Sequence, residues 1–176
     1  MDRVLFFLQP QTIRNDGFAF EWVFHKYRAI AEGLRKRGLQ CHYLIDDCLK
    51  ERYGLLEQCL HSPKDFDVRF NSEQWLKGWK EVLLNENVEK KNTLLFLLHK
   101  EFPFDVVFSW NYDATLKRFC RERNILTIFQ ELGLLRSPML YQMGFDGILW
   151  NSSQQQLFRK FEKTGLQDTP DRKSVV

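Results

Sequence analysis

The chain has 176 residues, of which 44% are hydrophobic and 15% aromatic. That length is enough for one folded domain with a substantial core, and the composition excludes a disordered chain. Lys and Arg together number 26 against 23 for Asp and Glu, so the net charge of +3 gives no argument for a nucleic-acid partner.

The four cysteines have neither CxxC spacing nor a histidine at metal-ligand distance: Cys41, Cys48, Cys59 and Cys120. Reduced thiols of this kind indicate a cytoplasmic protein. The apolar run 4–8 is too short for a signal peptide, and the longest later run, 94–98, is far below the ~20 residues of a membrane span. We therefore expect any work at a membrane to be done from its surface.

The first part of the chain predicts a β-α-β unit. Residues 4–8 are typical of a buried strand, and the polar residues 9–17 predict a loop after it. Between residues 20 and 34, apolar side chains recur at three- and four-residue spacing, which predicts a helix that ends at Gly38. Residues 40–45 predict a second strand.

The middle of the chain, from residue 48 to about residue 100, is rich in Leu, Glu and Lys. It predicts two or three helices, the last of which begins near Ser72 and is broken near Asn92. Because this stretch is longer than a minimal crossover between parallel strands, we interpret it as a helical insertion or a lid.

Three further apolar runs predict strands in the remaining part of the chain: 105–110, 125–130 and 146–150. Helices are predicted at 112–123 and 152–164, with a loop at 131–145. Buried strands alternating with helices predict a doubly wound, mostly parallel, Rossmann-like α/β sheet. Ligands bind at the carboxyl ends of such strands. The chain has neither a GxGxxG nor a P-loop motif, which disfavours nicotinamide and P-loop enzymes.

The last six residues, Asp-Arg-Lys-Ser-Val-Val, are a hexapeptide that one frame of a common sequencing adapter encodes. We expect residues 170–176 to be a non-native tail and residues 1–169 to be the natural part, with the natural chain continuing beyond it.

The order of these segments resembles the amino-terminal lobe of GT-B glycosyltransferases. Such lobes begin with a strand, a glycine-containing loop and a long helix ending near Arg-Gly, as in residues 4–8, Gly17 and 34–38 here. Three later segments match the family in order: 104–107 ("PDVV"), 125–131 ("P-x-V-x-x-x-H-E", with Gln130 at the His position) and 145–152 ("AD-x-V-I-x-x-S"). The resemblance covers most of the chain outside the helical insertion and the tail.

The resemblance implies a transferase that moves a sugar from a nucleotide-activated donor to a glycan or lipid-linked acceptor. This lobe would hold the acceptor, and a missing carboxyl-terminal lobe of the same chain would bind the donor, so the fragment alone is expected to be inactive. A DxD motif is missing, and no metal or other cofactor is implied. Residues 131–138 are also similar to an E-x-G-x-x-R-x-P segment of bacterial capsule and lipopolysaccharide glycosyltransferases, which suggests polysaccharide biosynthesis.

Two carboxylates are candidates for the general base that activates the acceptor hydroxyl. Glu131 follows a central predicted strand, and Asp16 lies in the loop after the first strand, so both face the expected cleft. Structural alternatives stay open for each. Glu131 would accept backbone N–H groups or pair with Arg136, and Asp16 would cap the following helix.

The predicted substrate-binding residues are Gly17, Trp110, Asn111, Tyr112, Asp113, Gly133 and Arg136. Trp110 to Asp113 combine a flat aromatic surface with hydrogen-bonding groups, a pairing that suits a sugar ring. Asn111 or Asp113 would equally serve as a helix N-cap. Arg136 would bind a phosphate or an acidic sugar, or form a salt bridge. Gly133 would allow close backbone approach, or turn the chain.

Local basic clusters at residues 35–37 and 117–123 are interpreted as solvated helix faces. Contact with anionic lipid headgroups at the inner face of the cell membrane is the alternative. His42 is expected to be packed in the core, and His61 and His99 to lie on the surface.

A hypothesis from a different class is a non-catalytic binding or scaffolding module on the same fold, because fold alone does not determine function. The transferase hypothesis depends on one geometric expectation, that the carboxylate of Glu131 lies next to Trp110 at a common edge of the sheet.

Overall fold

The computed structural model describes residues 3–8, 21–55, 59–70, 80–110, 112–132 and 141–144, with the backbone alone at 80–85, 131–132 and 141–144. The strands are β1 (Arg3–Phe7), β2 (Gln40–Leu44), β3 (Leu60–His61), β4 (Val106–Trp110), β5 (Leu126–Leu132) and β6 (Tyr141–Gly144). The helices are α1 (Glu21–Arg35), α2 (Asp47–Tyr53), α3 (Lys80–Glu101) and α4 (Ala114–Glu122), with a 3₁₀ turn at Pro63–Phe66.

The six described strands form one sheet in the order β3-β2-β1-β4-β5-β6. The first five strands of that order are parallel, and β6 is antiparallel to β5. This confirms the predicted Rossmann-like α/β fold. From β1 the chain moves to β2 and β3 on one side, and it then returns to β4 and β5 on the other. The strand order therefore reverses between β1 and β4.

Two apolar cores lie on the two faces of the sheet, and alternate residues of β1 enter them. Val4 and Phe6 pack with α1 and α2, whereas Leu5 and Phe7 pack with α3 and α4. Both cores require apolar side chains at positions 4–7 of β1, which is why this part of the strand is a continuous apolar run in the sequence. The residues that α1 buries are Val23, Phe24, Tyr27 and Ala31.

The turn after α1 explains why a glycine stands at position 38. Gly38 has φ +86°, in the left-handed region, and its N–H donates to the carbonyl of Arg35 at 2.9 Å. That conformation ends the helix at the predicted residue and leads directly into β2.

The predicted break in the last helix of the insertion is wrong. Asn92 lies inside α3, which continues without interruption from Lys80 to Glu101. Leu94, Leu95 and Leu98 are fully buried on this helix, and their packing outweighs the low helix propensity of one asparagine. None of the described helices is both long enough and apolar enough to cross a membrane.

The insertion also contributes a strand that the sequence did not predict. β3 pairs in parallel with β2 through Tyr43↔Leu60 and Leu44↔His61, and it extends the sheet by one strand. Two residues are too few to produce a periodic pattern, so this strand is evident only from its pairing.

The predicted loop at 131–145 is wrong in part. β5 extends to Leu132, and β6 pairs with it in antiparallel register, with Glu131 opposite Gln142. The predicted strand at 146–150, the predicted helix at 152–164 and the tail at 170–176 lie outside the described residues.

Candidate functional site

The reversal of strand order between β1 and β4 marks the part of the sheet where ligands of doubly wound proteins bind. Near its carboxyl end, Phe7 of β1 pairs with Ser109 of β4, and Trp110 pairs with Gln130 of β5. The ends of three neighbouring strands therefore meet at one edge of the sheet.

Trp110 forms a compact group there with two residues of α1, which we call the indole–lysine group (Trp22, Lys26 and Trp110). The indoles of Trp22 and Trp110 lie edge to face, with centroids 4.9 Å apart and planes at 83°. The Nζ of Lys26 lies 5.0 Å from the centroid of Trp110. Trp22 and Lys26 are four residues apart on the helix, so both lie on its same side.

The surroundings of Lys26 change its acid–base chemistry. Burial lowers the pKa of Lys26 to about 8, because the ammonium loses part of its hydration. The Trp110 ring face offsets part of that loss through a cation–π contact. An amine with this pKa exchanges protons near neutral pH, and a ligand anion beside it would stabilise its charged form.

Exposure differs sharply between the two indoles. Trp110 is 5% exposed and fixed in the core, whereas Trp22 is 43% exposed. The group thus combines one buried indole, which is held in place by the core, with one indole that is accessible to a ligand.

Gln130 adds a buried amide beside this group. Paired residues of neighbouring strands point to the same face, so Gln130 lies on the face of Trp110. Its side chain is fully buried, and within the described part of the chain neither Oε1 nor Nε2 has a hydrogen-bond partner. A buried amide without partners costs about 1–3 kcal/mol, so such groups bind an ordered water or a polar ligand atom.

Asp113 takes the structural role that was the alternative to ligand binding. Its Oδ1 accepts from the backbone N–H of Leu116 at 2.9 Å and caps α4. Its Oδ2 pairs with Nζ of Lys91 on α3 at 2.5 Å, and both side chains are at most 10% exposed. Of the two N-cap candidates, Asn111 and Asp113, the structure confirms Asp113, and both oxygens of its carboxylate are occupied by protein groups.

Tyr112 lies on the other face of the sheet from Trp110. Its ring packs 5.2 Å from that of Phe129, and Nζ of Lys117 lies 5.5 Å from its centroid. The predicted aromatic pair therefore does not form one surface, and Trp110 is joined by Trp22 instead.

Several predicted site residues lie outside the described residues: Asp16, Gly17, Asn111, Gly133 and Arg136. For Glu131 the structure describes the backbone, which directly follows Gln130, the register partner of Trp110. The backbones at 110 and 131 thus lie at the same edge of the sheet, and the expected contact between the Glu131 carboxylate and Trp110 stays a prediction. The role of Glu131 as general base stays a prediction.

Asp46 is a titratable group that the sequence did not single out. It follows β2, is 6% exposed, and accepts from the backbone N–H of Leu49 at 2.9 Å as the N-cap of α2. Burial raises its pKa to about 6, although the hydrogen bonds to the cap oppose that shift.

His61 is buried at 9% exposure, so the prediction that it lies on the surface is wrong. Its Nε2 lies 2.7 Å from Nδ1 of His42, whose ring stacks at 3.6 Å on Phe102. Burial lowers the pKa of His42 to about 4 and also lowers the pKa of His61. The facing nitrogens are at hydrogen-bond distance, with the donor set by the tautomers of the two rings, and the pair lies at the β2–β3 edge, away from the indole–lysine group.

All four cysteines are free thiols, as predicted. Burial raises the pKa of Cys120 to about 12, which makes that thiol inert at neutral pH. Among the described residues, no group of three His, Cys, Asp or Glu side chains could hold a metal ion.

Comparison of the chain with protein-family models, with curated proteins and with solved structures finds no significant match in any of the three. Functional inference therefore depends on the site itself. Sequence reasoning missed Trp22, Lys26 and Gln130. The available signal was a Trp and a Lys four residues apart at the start of the first helix, which follows the loop that faces the cleft.

Proposed function

We propose that this chain is the acceptor-side lobe of a GT-B glycosyltransferase, which moves a sugar from a nucleotide-activated donor to a glycan or lipid-linked acceptor. The observation that carries the proposal is the indole–lysine group at the carboxyl end of β4, beside the reversal of strand order. Parallel sheets of this kind bind their ligands at that position.

The chemistry of the group suits an acceptor sugar. The exposed indole of Trp22 offers a flat apolar surface for the carbon face of a pyranose. The amide of Gln130 offers a donor and an acceptor for hydroxyl groups. The ammonium of Lys26 would attract a phosphate or a carboxylate on the acceptor.

Catalysis would need a base near the acceptor hydroxyl, and Glu131 is the proposed one. Its backbone lies one residue beyond the partner of Trp110, so the chain direction brings residue 131 to the edge where the acceptor would bind. Asp16 stays the second candidate. The donor would bind to a further lobe without a metal ion, and the enzyme would act in the cytoplasm or at the inner face of the membrane.

The acceptor site can be tested on the 176-residue chain by saturation-transfer NMR with lactose, cellobiose and chitobiose. We expect dissociation constants in the millimolar range for such single disaccharides, or about −4 kcal/mol. Trp22→Ala should abolish the transfer signal. UDP should give none, because the donor lobe is expected elsewhere in the natural chain.

The control variant is Phe96→Ala, which removes an aromatic ring of 55% exposure on the α3 layer. It should leave sugar binding unchanged. Equal loss in both variants, or no sugar binding to the unsubstituted chain, would contradict the acceptor site.

The transferase hypothesis and the hypothesis of a non-catalytic module are distinguished by measuring turnover. In the full-length gene product, Glu131→Gln should lower turnover by about 10²–10⁴-fold with an unchanged melting temperature. Near-normal turnover would exclude the base assignment. Sugar binding without any transfer in the full-length protein would favour the module.

A further inference from the structure

A pocket lies in the α3–α4 layer, on the opposite face of the sheet from the indole–lysine group. Its volume is about 470 Å³. The lining residues that matter here are Thr93 and Phe96 of α3, Arg118, Phe119 and Glu122 of α4, and Arg123 directly after it. Pockets that hold small organic ligands span roughly 300–1,000 Å³.

Arg123 is held in a fixed position at this pocket. Its guanidinium carbon lies 3.9 Å from the centroid of Phe119, and Nη1 donates to the carbonyl of Phe119 at 3.2 Å. Nη1 also lies 3.6 Å from Oε2 of Glu122. These contacts use only part of the five N–H donors, so a pre-positioned planar fork stays available for a ligand.

Arg118 supplies a second positive charge to the same pocket. It is exposed, and across the part of the chain that the structure describes it forms no ion pair. With Arg118 and Arg123 positive and Glu122 negative, the pocket carries a net charge of +1. Two arginines that line one pocket favour a ligand with more than one negative charge.

Phe96 gives the pocket an apolar wall. It is 55% exposed, although Leu94, Leu95 and Leu98 of the same helix are fully buried. Covering an exposed phenylalanine with an apolar group removes apolar surface from water and so favours binding. A ligand that uses both walls would join an anion to an apolar group.

We propose that this pocket binds a phosphate monoester that carries an aromatic or aliphatic group. Such a phosphate has a charge of about −1.5 to −2 at neutral pH and three acceptor oxygens, which match the two arginines. The site does not depend on the proposed transferase activity, because it shares no residue with the indole–lysine group.

The test is a titration of the 176-residue chain with 2-naphthyl phosphate, followed by the fluorescence anisotropy of the ligand. Arg118→Gln should raise the dissociation constant by about tenfold, the loss expected for one charge-assisted contact. Phe96→Ala should weaken binding of 2-naphthyl phosphate while leaving the weaker binding of inorganic phosphate, measured by competition, unchanged.

Arg121→Gln is the matched control, because Arg121 is exposed on the same helix, carries the same charge and does not line the pocket. It should leave binding unchanged. An equal loss with Arg118→Gln and Arg121→Gln would overturn the proposal, since it would indicate general attraction to a basic surface. No saturation at millimolar ligand would also overturn it.

Two further arms separate the sources of the phosphate and the two proposed sites. The first arm measures whether the protein sediments with phosphatidylcholine vesicles that contain phosphatidic acid. If it does, and if Arg118→Gln abolishes this sedimentation, the ligand is a lipid headgroup. Binding of 2-naphthyl phosphate without vesicle binding would assign a soluble monoester. Trp22→Ala should not change either measurement, so failure of the sugar site leaves this result intact.

Discussion

Replacing Asp113 should reveal how much the α3–α4 contact depends on one buried carboxylate. Asp113 performs two separable tasks, capping α4 through Oδ1 and neutralising Lys91 through Oδ2. Asp113→Asn retains a good cap but leaves the ammonium of Lys91 buried without its counter-charge. Asp113→Ala removes both.

The expected magnitudes follow from those two tasks. Breaking a buried ion pair from one side costs about 3–5 kcal/mol of unfolding free energy. Loss of an N-cap costs about 1 kcal/mol more. We therefore expect Asp113→Asn to lose about 3 kcal/mol and Asp113→Ala about 4 kcal/mol.

The double variant Lys91→Met with Asp113→Asn supplies the control. It removes the unpaired charge and retains the cap, so its stability should return to within about 1 kcal/mol of the unsubstituted chain. Urea unfolding at pH 7, followed by circular dichroism, measures all four proteins.

A loss below about 1 kcal/mol in Asp113→Asn would refute the reasoning, because it would mean that the ion pair is not buried in solution. Failure of the double variant to recover would refute it as well. Sugar binding that is lost in Asp113→Asn but not in the double variant would assign the effect to folding rather than to a ligand contact.

Three further predictions concern pH and backbone conformation. The pKa of His42 is lowered to about 4 in the folded chain, against an ordinary value of 6.5. The free energy of unfolding that depends on neutral His42 is therefore fully present above pH 6.5 and is lost as the pH falls towards 4. Because the ring is only half-buried, His42→Gln should reduce the loss of unfolding free energy between pH 7 and 5 by about 1 kcal/mol, measured by urea midpoints; an unchanged slope would contradict this. The pKa of Asp46 is raised to about 6, so its effect on stability has the opposite pH dependence. The free energy of unfolding that depends on protonated Asp46 is lost as the pH rises through 6. Asp46→Asn keeps the cap and should be as stable as the unsubstituted chain at pH 4 but about 1–3 kcal/mol more stable at pH 7, whereas destabilisation at pH 7 would contradict the burial argument. Gly38→Ala should lower the free energy of unfolding by about 1 kcal/mol because φ is +86°, whereas Gly33→Ala inside α1 should raise it by about 0.5–1 kcal/mol. Neither added methyl group meets an atom within 4 Å, so both effects come from the backbone conformation. Stability changes of the same sign in the two variants would contradict this explanation.

Much of the fold could be predicted because strands buried on both faces need apolar side chains at every position. Residues 4–7 of β1 and 106–108 of β4 have that character, β5 is mainly apolar between Leu126 and Phe129, and α1 has an apolar face of helical spacing. These patterns are local, so the sequence identifies each element without knowledge of its neighbours. The short strand β3 and the hairpin partner β6 lack such patterns and become strands only through pairing with β2 and β5.

The candidate site was less predictable, because its properties arise between elements distant in sequence. Sequence reasoning placed Trp110 at a ligand edge, but it grouped Trp110 with Tyr112 and Asp113 by proximity along the chain. Strand β4 ends at Trp110, and the chain then turns into α4, so Tyr112 and Asp113 join the α3–α4 side of the sheet. Helix α1 brings Trp22 to Trp110 instead.

The amino-acid sequence by itself determined the alternation of strands and helices and the turn at Gly38, and it limited the cap of α4 to Asn111 or Asp113, since each depends on side chains within a few positions. Only the tertiary structure decided that Lys26 has a lowered pKa, that Asp113 pairs with Lys91, and that His42 meets His61. Burial and charge pairing are properties of the space around a group, and that space is formed by residues far away in the chain.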